Sequence, residues 1–141
     1  MGDKKKRTGS CYCINLRRAN TAVTEYYDRV MASCGLTVSQ FSLLNHLIKL
    51  RVCYVSELAV HVGLDRSTVV RGLKPLFEAG YIKDVSQPES RNRQLEATPS
   101  GLAVNDRAFS LWQKAQMGIE ERIGAEGVKT LSKLLEALET I

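Results

Sequence analysis

Residues 56–84 read SELAVHVGLDRSTVVRGLKPLFEAGYIKD, and this stretch decides the fold. Ser56 is a suitable N-cap for a short apolar helix, and Gly63 permits the left-handed conformation that ends such a helix. Asp65 follows at once as the N-cap of a second helix. Two short helices joined by a glycine-containing turn indicate a helix-turn-helix.

The second helix of this pair is amphipathic. Its apolar residues fall at spacings that share one buried face: Val69, Leu73, Leu76 and Phe77. Its opposite face carries residue types that contact base edges and phosphates: Arg66, Ser67, Thr68, Arg71 and Lys74. We predict that this segment is a recognition helix for double-stranded DNA. Pro75 stands within it and predicts a tolerated kink near its C-terminal half.

The chain after Gly80 predicts two short strands around a polar loop, residues 86–94. The apolar residues that flank the loop are Tyr81, Ile82, Val85, Leu95 and Ala97. The loop itself contains Arg91 and Arg93, which we add to the candidate DNA contacts. A helix-turn-helix followed by such a hairpin predicts a winged helix.

Residues 56–101 resemble the MarR family of winged helix-turn-helix transcriptional regulators, and a looser resemblance covers nearly the whole chain. In that family the wing carries Asp-x-Arg near its tip, and Leu-Thr-x-x-Gly begins the next helix. The matching segments here are Glu89-Ser90-Arg91 and Ala97-Thr98-Pro99-Ser100-Gly101, so Glu replaces Asp and Ala replaces Leu. The resemblance implies that Arg91 enters a minor groove.

Long helical patterns lie on both sides of the predicted winged helix. Apolar residues recur at helical spacing over residues 12–32 and 38–48, after Gly101, and again beyond a break at residues 124–127. One small domain cannot bury so much apolar helix, so the pattern predicts a two-fold homodimer formed by the first and last helices. The MarR resemblance implies the same dimer, which would read a palindrome with half-sites roughly 34–36 Å apart.

These patterns divide the 141 residues into four segments. We expect a basic disordered tail at residues 1–10, a dimerisation helix at 11–35, a winged helix-turn-helix DNA-binding domain at 36–99 and C-terminal dimerisation helices at 100–141. The predicted fold class is therefore mainly α with a small β-wing. The length suits one such domain.

The formal net charge is +5, which alone would favour a polyanionic partner. The excess lies in the N-terminal third, largely in residues 4–7, whereas residues 54–97 hold six basic and six acidic side chains. The prediction of DNA binding therefore depends on where the charges of the second helix point.

Other classes of protein leave signals that this sequence lacks. It has no glycine-rich phosphate loop, no H-E-x-x-H and no G-x-S-x-G, so we expect neither an enzyme nor a cofactor. No apolar run approaches the roughly 20 residues that span a bilayer, and we expect a cytoplasmic protein without membrane contact.

The four cysteines are Cys11, Cys13, Cys34 and Cys53. Cys11 and Cys13 stand too close for an unstrained bridge, and a cytosolic protein keeps its thiols reduced. Cys13 lies near the start of the first helix, one turn before Arg17, where helix amides and a cation favour a thiolate. We take Cys13, with Cys11 beside it, as a candidate redox sensor; the commoner alternative is an inert buried thiol.

The position of Cys13 is also similar to that of the peroxide-sensing cysteine in the OhrR branch of the MarR family, where tyrosine hydroxyls hold the thiolate. Tyr27 would lie about 21 Å from Cys13 along the same helix, so tyrosines could act only across a dimer. A small-molecule effector is the other alternative. The family resemblance implies a cleft between the dimer helices and the winged helix, and Tyr26, Tyr27 and His46 are its candidate residues.

A metal site is not expected. The C-x-C spacing of Cys11 and Cys13 differs from the usual zinc clasp, and the only histidines, His46 and His61, fall on separate predicted helices.

The sequence therefore predicts a sequence-specific transcriptional regulator that binds double-stranded DNA as a homodimer, a repressor released by a small ligand or by thiol oxidation. Whether it represses or activates depends on the operator's position, which the chain does not record. The alternative is a winged helix that docks on a protein, in which case Arg71 and Arg91 are ordinary surface charges. A steep fall of affinity with salt would favour DNA.

Overall fold

The computed structural model describes residues 11–141, and the predicted basic tail at residues 1–10 lies outside them. The helices are α1 (Tyr12–Met31), α2 (Val38–Leu50), α3 (Val55–Val62), α4 (Arg66–Glu78) and α5 (Pro99–Glu139). The strands are β1 (Val52–Tyr54), β2 (Ile82–Asp84) and β3 (Gln94–Ala97). A 3-10 turn, Ala32–Cys34, joins α1 to α2. The predicted fold class, mainly α with a small β-wing, is confirmed.

A single hydrophobic core joins α2 to the helices around it. Leu44 and Leu47 of α2 are completely buried, and they lie among side chains from every other helix. The other large and fully buried side chains are Met31, Leu58, Leu73, Leu76, Leu95, Val69, Val104 and Cys53. Because α2 packs against α3, α4 and α5, it is the support on which the helix-turn-helix rests.

The sheet has three strands in the order β1-β3-β2, and both pairs are antiparallel. Strands β2 and β3 form the predicted wing, in which Asp84 lies opposite Leu95. The sequence did not predict β1, whose Cys53 also lies opposite Leu95. Three residues with one buried side chain are too few to show a period of two, and only the pairing with β3 defines the strand.

The start of α3 differs from the prediction. The helix begins at Val55 with Tyr54 as its N-cap, and Ser56 lies inside the first turn. The Glu57 carboxylate accepts a hydrogen bond of 3.1 Å from the Tyr54 amide. Because β1 runs directly into α3, the backbone leaves the extended conformation two residues earlier than the serine signal indicates.

The predicted turn between α3 and α4 is confirmed. Gly63 has a φ of 70°, in the left-handed region, and its amide donates to carbonyl groups of the last turn of α3. Asp65 is the N-cap of α4, as predicted. Helix α4 continues through Pro75 to Glu78, so the proline does not end it.

Helix α5 is a long element with one interruption. Gly124 has a φ of 74° and a ψ of 169°, which breaks the helix within the predicted 124–127 region. Thr98 caps its start by accepting a hydrogen bond of 3.1 Å from the Gly101 amide. A Cβ atom at Gly101 would lie 2.0 Å from the Tyr81 carbonyl oxygen, so this close approach of two backbones requires glycine.

No helix among residues 11–141 combines the length and the apolar character that crossing a membrane would require.

Candidate nucleic-acid interface

Helix α4 has one face in the core and one face in solvent. Val69, Leu73 and Leu76 are between 0% and 2% exposed, whereas the predicted contact residues lie on the outer side. Arg66, Ser67, Arg71 and Lys74 are exposed, and Thr68 is half-buried. The cationic and hydroxyl side chains of α4 are thus available to a large partner.

The first turn of α4 is held by the Asp65 carboxylate. It accepts hydrogen bonds from the hydroxyl groups of Ser67 and Thr68, and one of 3.3 Å from the Thr68 amide. The Ser67 and Thr68 hydrogen bonds lower the pKa of Asp65 from its ordinary value of 3.8 to about 2. The cap is therefore ionised at neutral pH.

Arg71 and Thr68 lie side by side on the exposed face. The Arg71 Nη2 atom donates a hydrogen bond of 3.3 Å to Thr68 Oγ1, which also contacts the Asp65 carboxylate. The guanidinium is thereby directed along the first two turns of α4. This arrangement leaves further Arg71 donors for an acceptor in solvent, because a guanidinium carries five N–H groups.

Two of the predicted cations have a carboxylate neighbour in the chain. Lys74 lies 3.9 Å from Glu78, and Arg93 lies 3.9 Å from Asp84. Both ion pairs are exposed, and such pairs contribute about 0–1 kcal/mol, so a phosphate can replace the carboxylate. Over residues 11–141, Arg66, Arg71 and Arg91 form no ion pair.

The wing is fixed to the rest of the domain at its base. The Val55 amide donates to the Arg93 carbonyl oxygen at 3.2 Å, and the Val85 amide donates to that of Gln94 at 2.8 Å. Ser86 donates hydrogen bonds to Asp84, which lower the pKa of that carboxyl. Arg91 lies beyond these contacts, on the exposed loop.

A cavity of about 410 Å³ lies between α4 and the wing, and sequence reasoning did not predict it. Its wall includes the apolar side chains Val55, Val70 and Phe77 and the cations Arg71 and Arg93. Local sequence patterns could not have predicted it, because it is a tertiary feature formed by residues of α3, α4 and the segment before β3.

The cysteines fall into two pairs. Cys11 and Cys13 are exposed at the start of α1, whereas Cys34 and Cys53 are buried, and all four thiols are free. Burial raises the pKa of the Cys53 thiol, and the nearby Glu57 carboxylate raises it further. Buried neutral thiols are unreactive, so only the exposed pair has the access that a redox sensor needs.

The structure does not bring the candidate effector residues Tyr26, Tyr27 and His46 to one cavity. Tyr26 lines a cavity of about 360 Å³ between α1 and α5, and His46 lines another of about 290 Å³ between α2 and α5. Tyr27 is buried and donates a hydrogen bond to Gln116 of α5. Burial, with smaller contributions from Tyr26 and Glu120, raises the Tyr27 pKa. Successive helical residues point in different directions, which separates the two tyrosines.

The cavity that contains His46 has an aromatic wall. The ring centroids of Phe41, Phe109 and Trp112 lie between 5.7 and 6.5 Å from one another. Lys49 lies on the same cavity. An apolar space with a few polar groups is typical of small-molecule sites.

Exposed apolar side chains lie on two of the helices, α1 and α5. Those of α1 include Ile14, Leu16 and Val23, and those of α5 include Met117, Ile123, Leu131, Leu134, Leu135 and Leu138. Large exposed apolar patches mark interaction sites, so these two helices are candidates for an interface.

Proteins of known structure share this architecture. No family model matches the chain. The crystal structure of the M. tuberculosis transcriptional regulator MosR in complex with DNA is similar, with 30% identity, a TM-score of 0.77, and coverage of 93% of this chain and 98% of that one. A mutant of E. coli MarR complexed with operator DNA shares 20% identity at a TM-score of 0.77, over 87% of this chain and 89% of that one.

A Thauera aromatica protein, described as a transcriptional regulatory protein for the hcr operon, is 27% identical over 127 residues, which cover 89% of this chain and 76% of that protein. Fold and relatives together define a winged helix-turn-helix regulator of transcription. The chain belongs to the MarR family.

Proposed function

We propose that this protein is a homodimeric, sequence-specific DNA-binding repressor that recognises a palindromic operator. The observation that carries the proposal is the outer face of α4. There the half-buried Thr68 and the exposed Arg71 lie together on a helix whose inner face buries Val69 and Leu73. Crystal structures show MosR and a MarR mutant in complexes with DNA, which supports the same assignment.

The proposed contacts divide into two kinds. Arg71 and Thr68 read base edges in the major groove. A guanidinium donates two hydrogen bonds to guanine, and a hydroxyl group can donate to or accept from a base edge. Arg91 enters the minor groove from the wing. The remaining candidates contact the phosphate backbone and fix the orientation: Arg66, Ser67, Lys74 and Arg93.

The proposed dimer uses the exposed apolar surfaces of α1 and α5. Residues 11–35 and 100–141 then serve as dimerisation segments, and residues 36–99 carry DNA binding. Covering these side chains removes an aggregation hazard, and two-fold symmetry places two α4 helices on one face. Half-sites roughly 34–36 Å apart are the expected operator geometry.

The proposal includes two alternative routes by which the protein is released from DNA. A small ligand in the aromatic cavity between α2 and α5 would act on the helix that supports α3 and α4. Alternatively, oxidation of Cys13, with Cys11 beside it, would act at the start of α1. Both thiols are exposed and therefore accessible to an oxidant, and this accessibility supports the second route.

The experiment that tests DNA recognition is selection of bound sequences from random duplex DNA. We expect a two-fold symmetric motif for the wild type and a degenerate motif at one base pair per half-site for Arg71→Ala. Arg107→Ala, which removes an exposed arginine from α5, is the matched control and is expected to return the wild-type motif. If Arg71→Ala and Arg107→Ala select the same motif, Arg71 does not read bases.

The same selection distinguishes the two routes of release. It is repeated with peroxide and with a reductant, for the wild type and for Cys13→Ser. Loss of the peroxide effect in Cys13→Ser would support the thiol switch. An unchanged peroxide effect would rule out Cys13 and leave the cavity between α2 and α5.

A further inference from the structure

The two histidines of the chain meet between α2 and α3. His46 and His61 are 15 positions apart on separate helices, yet their ring centroids lie 5.3 Å apart at an interplanar angle of 66°. His61 is exposed at the end of α3, and His46 is half-buried and borders a cavity. The pair is thus open to small solutes from solvent.

The hydrogen bond of His46 fixes the state of its ring. The Nδ1 atom lies 2.6 Å from the Ser42 carbonyl oxygen. A carbonyl only accepts hydrogen bonds, so Nδ1 carries the proton and the neutral ring keeps a lone pair on Nε2. Histidines that bind metals show this same pattern, in which the second nitrogen donates to a backbone carbonyl.

The spacing of the two rings fits a shared metal ion. Two imidazoles on a tetrahedral zinc ion, with Zn–N distances of roughly 2.0–2.1 Å, have ring centres about 5 Å apart. The terminal torsion of a histidine side chain is broad, so rotation of the exposed His61 ring can direct a nitrogen toward His46. Imidazole ligands suit zinc, copper and nickel ions rather than magnesium or calcium.

We propose that His46 and His61 form a binding site for one divalent transition-metal ion of the zinc type, which joins α2 to α3. Within residues 11–141, no group of three or more His, Cys, Asp and Glu side chains is placed to hold a metal ion, so water completes the coordination. Such a site is open and exchangeable, unlike a closed structural zinc site. Lys49 borders the same cavity as His46. Its positive charge repels a bound metal ion, which further favours exchange of that ion with solvent.

The site has a consequence for the winged helix. Helix α3 is the first helix of the helix-turn-helix, and α2 belongs to the core. An ion bound by both helices links them, so binding is coupled to the folded state and raises the melting temperature. This proposal does not depend on the proposed DNA contacts, so the two can be tested separately.

The test uses the untagged, full-length chain with Cys11→Ser and Cys13→Ser, so that neither an affinity tag nor the exposed thiols bind the ion. Zn²⁺ is titrated in competition with a chromophoric chelator. We expect one ion per chain, and a loss of affinity of at least tenfold in His61→Gln, whose exposed position preserves the fold, and in His46→Gln. Glu139→Gln, which alters an exposed carboxylate at the far end of α5, is the control and is expected to bind as the parent does.

Imidazole nitrogen chemical shifts give an independent reading. Without metal, we expect the His46 spectrum to show a protonated Nδ1. With Zn²⁺, one nitrogen of each ring should shift and the melting temperature should rise in the parent but not in His61→Gln. Zinc affinity that is the same in the parent and in both histidine variants, or ring resonances that stay in place at saturating Zn²⁺, would overturn the proposal.

Discussion

At the scale of single residues, Asp65 and Thr68 form the hydrogen bonds that begin helix α4. The Asp65 carboxylate caps the helix and holds the hydroxyl group against which Arg71 rests. The cap and the proposed contacts therefore form one hydrogen-bonded chain. Changing the cap should alter both the stability of α4 and the placement of Arg71.

Asp65→Ala should lower the melting temperature at pH 7, and the loss should depend on pH. The pKa of Asp65 is lowered to about 2 in the folded state from an ordinary value of 3.8. A lowered folded pKa means that the stabilisation is complete above the unfolded value and is lost as the pH falls through the folded one. Thermal unfolding of wild type and variant from pH 7 to pH 2 measures this. A melting-temperature difference that stays constant down to pH 2 would contradict the cap assignment.

Arg51→Gly should stabilise the protein. Arg51 follows α2 with a φ of 64° and a ψ of −84°, and it is the only non-glycine residue of the described chain with a positive φ. Relief of roughly 1–3 kcal/mol of strain exceeds the entropy cost of glycine, so we expect a gain of about 1 kcal/mol in unfolding free energy.

Chemical denaturation measures the Arg51→Gly effect. Arg18→Gly, within α1 and also exposed, is the matched control and should lose about 1 kcal/mol instead. Loss of stability in both variants would show that Arg51 is not strained.

At the scale of secondary structure, the sequence predicted the elements that have local signals. Gly63 predicted the end of α3, Asp65 predicted the start of α4, and Gly124 predicted the break in α5. These signals are local because caps and left-handed turns depend on neighbouring residues. Strand β1 and the cap at Tyr54 were missed. Both depend on β3, some 40 residues away, and no local pattern records that pairing.

The candidate site was likewise predictable only where it depends on local sequence. The outer face of α4 follows from helical periodicity, so its residues could be named in advance. The ion pairs of Arg93 with Asp84, the cavity beside α4 and the approach of His46 to His61 are tertiary contacts. Tyr26 and Tyr27 were assigned to one effector cleft because the family resemblance implies it, whereas the structure places them in different surroundings.

Gly101→Ala should disrupt the junction between the wing and α5. The new Cβ atom would lie 2.0 Å from the Tyr81 carbonyl oxygen, and a backbone atom cannot move aside as a side chain can. We expect a loss of about 3 kcal/mol in unfolding free energy, measured by chemical denaturation.

Gly72→Ala is the matched control for this junction. Its Cβ atom would meet only the end of the Leu43 side chain, and alanine favours the helix by about 1 kcal/mol, so a small net change is expected. Equal losses in the two variants would contradict the special role of Gly101.

At the scale of the whole molecule, apolar side chains of α1 and α5 and cationic side chains of α4 and the wing are exposed to solvent. Leu134 is 57% exposed and Leu131 is 43% exposed, although both belong to an apolar stripe of α5. The proposed homodimer would cover that surface and bring two copies of α4 together. The dimer and the DNA contacts are therefore linked predictions.

Leu134→Glu should convert the dimer to a monomer, because a carboxylate would replace a leucine in the proposed interface. Light scattering coupled to size-exclusion chromatography measures the change in mass. Lys133→Glu, the neighbouring exposed position, introduces the same carboxylate and should leave the dimer intact. A wild type that elutes as a monomer, or a Leu134→Glu variant that stays dimeric, would contradict the proposed interface.

The most direct test of the central claim is the salt dependence of binding to the selected operator duplex. We expect a steep linear fall of log affinity with log salt concentration for the wild type, and a slope smaller by about 1 for Arg91→Ala. Arg71→Ala should weaken binding by about 1–3 kcal/mol and should also reduce discrimination between operator and altered half-sites. Binding that does not vary with salt, and that survives both substitutions unchanged, would contradict it.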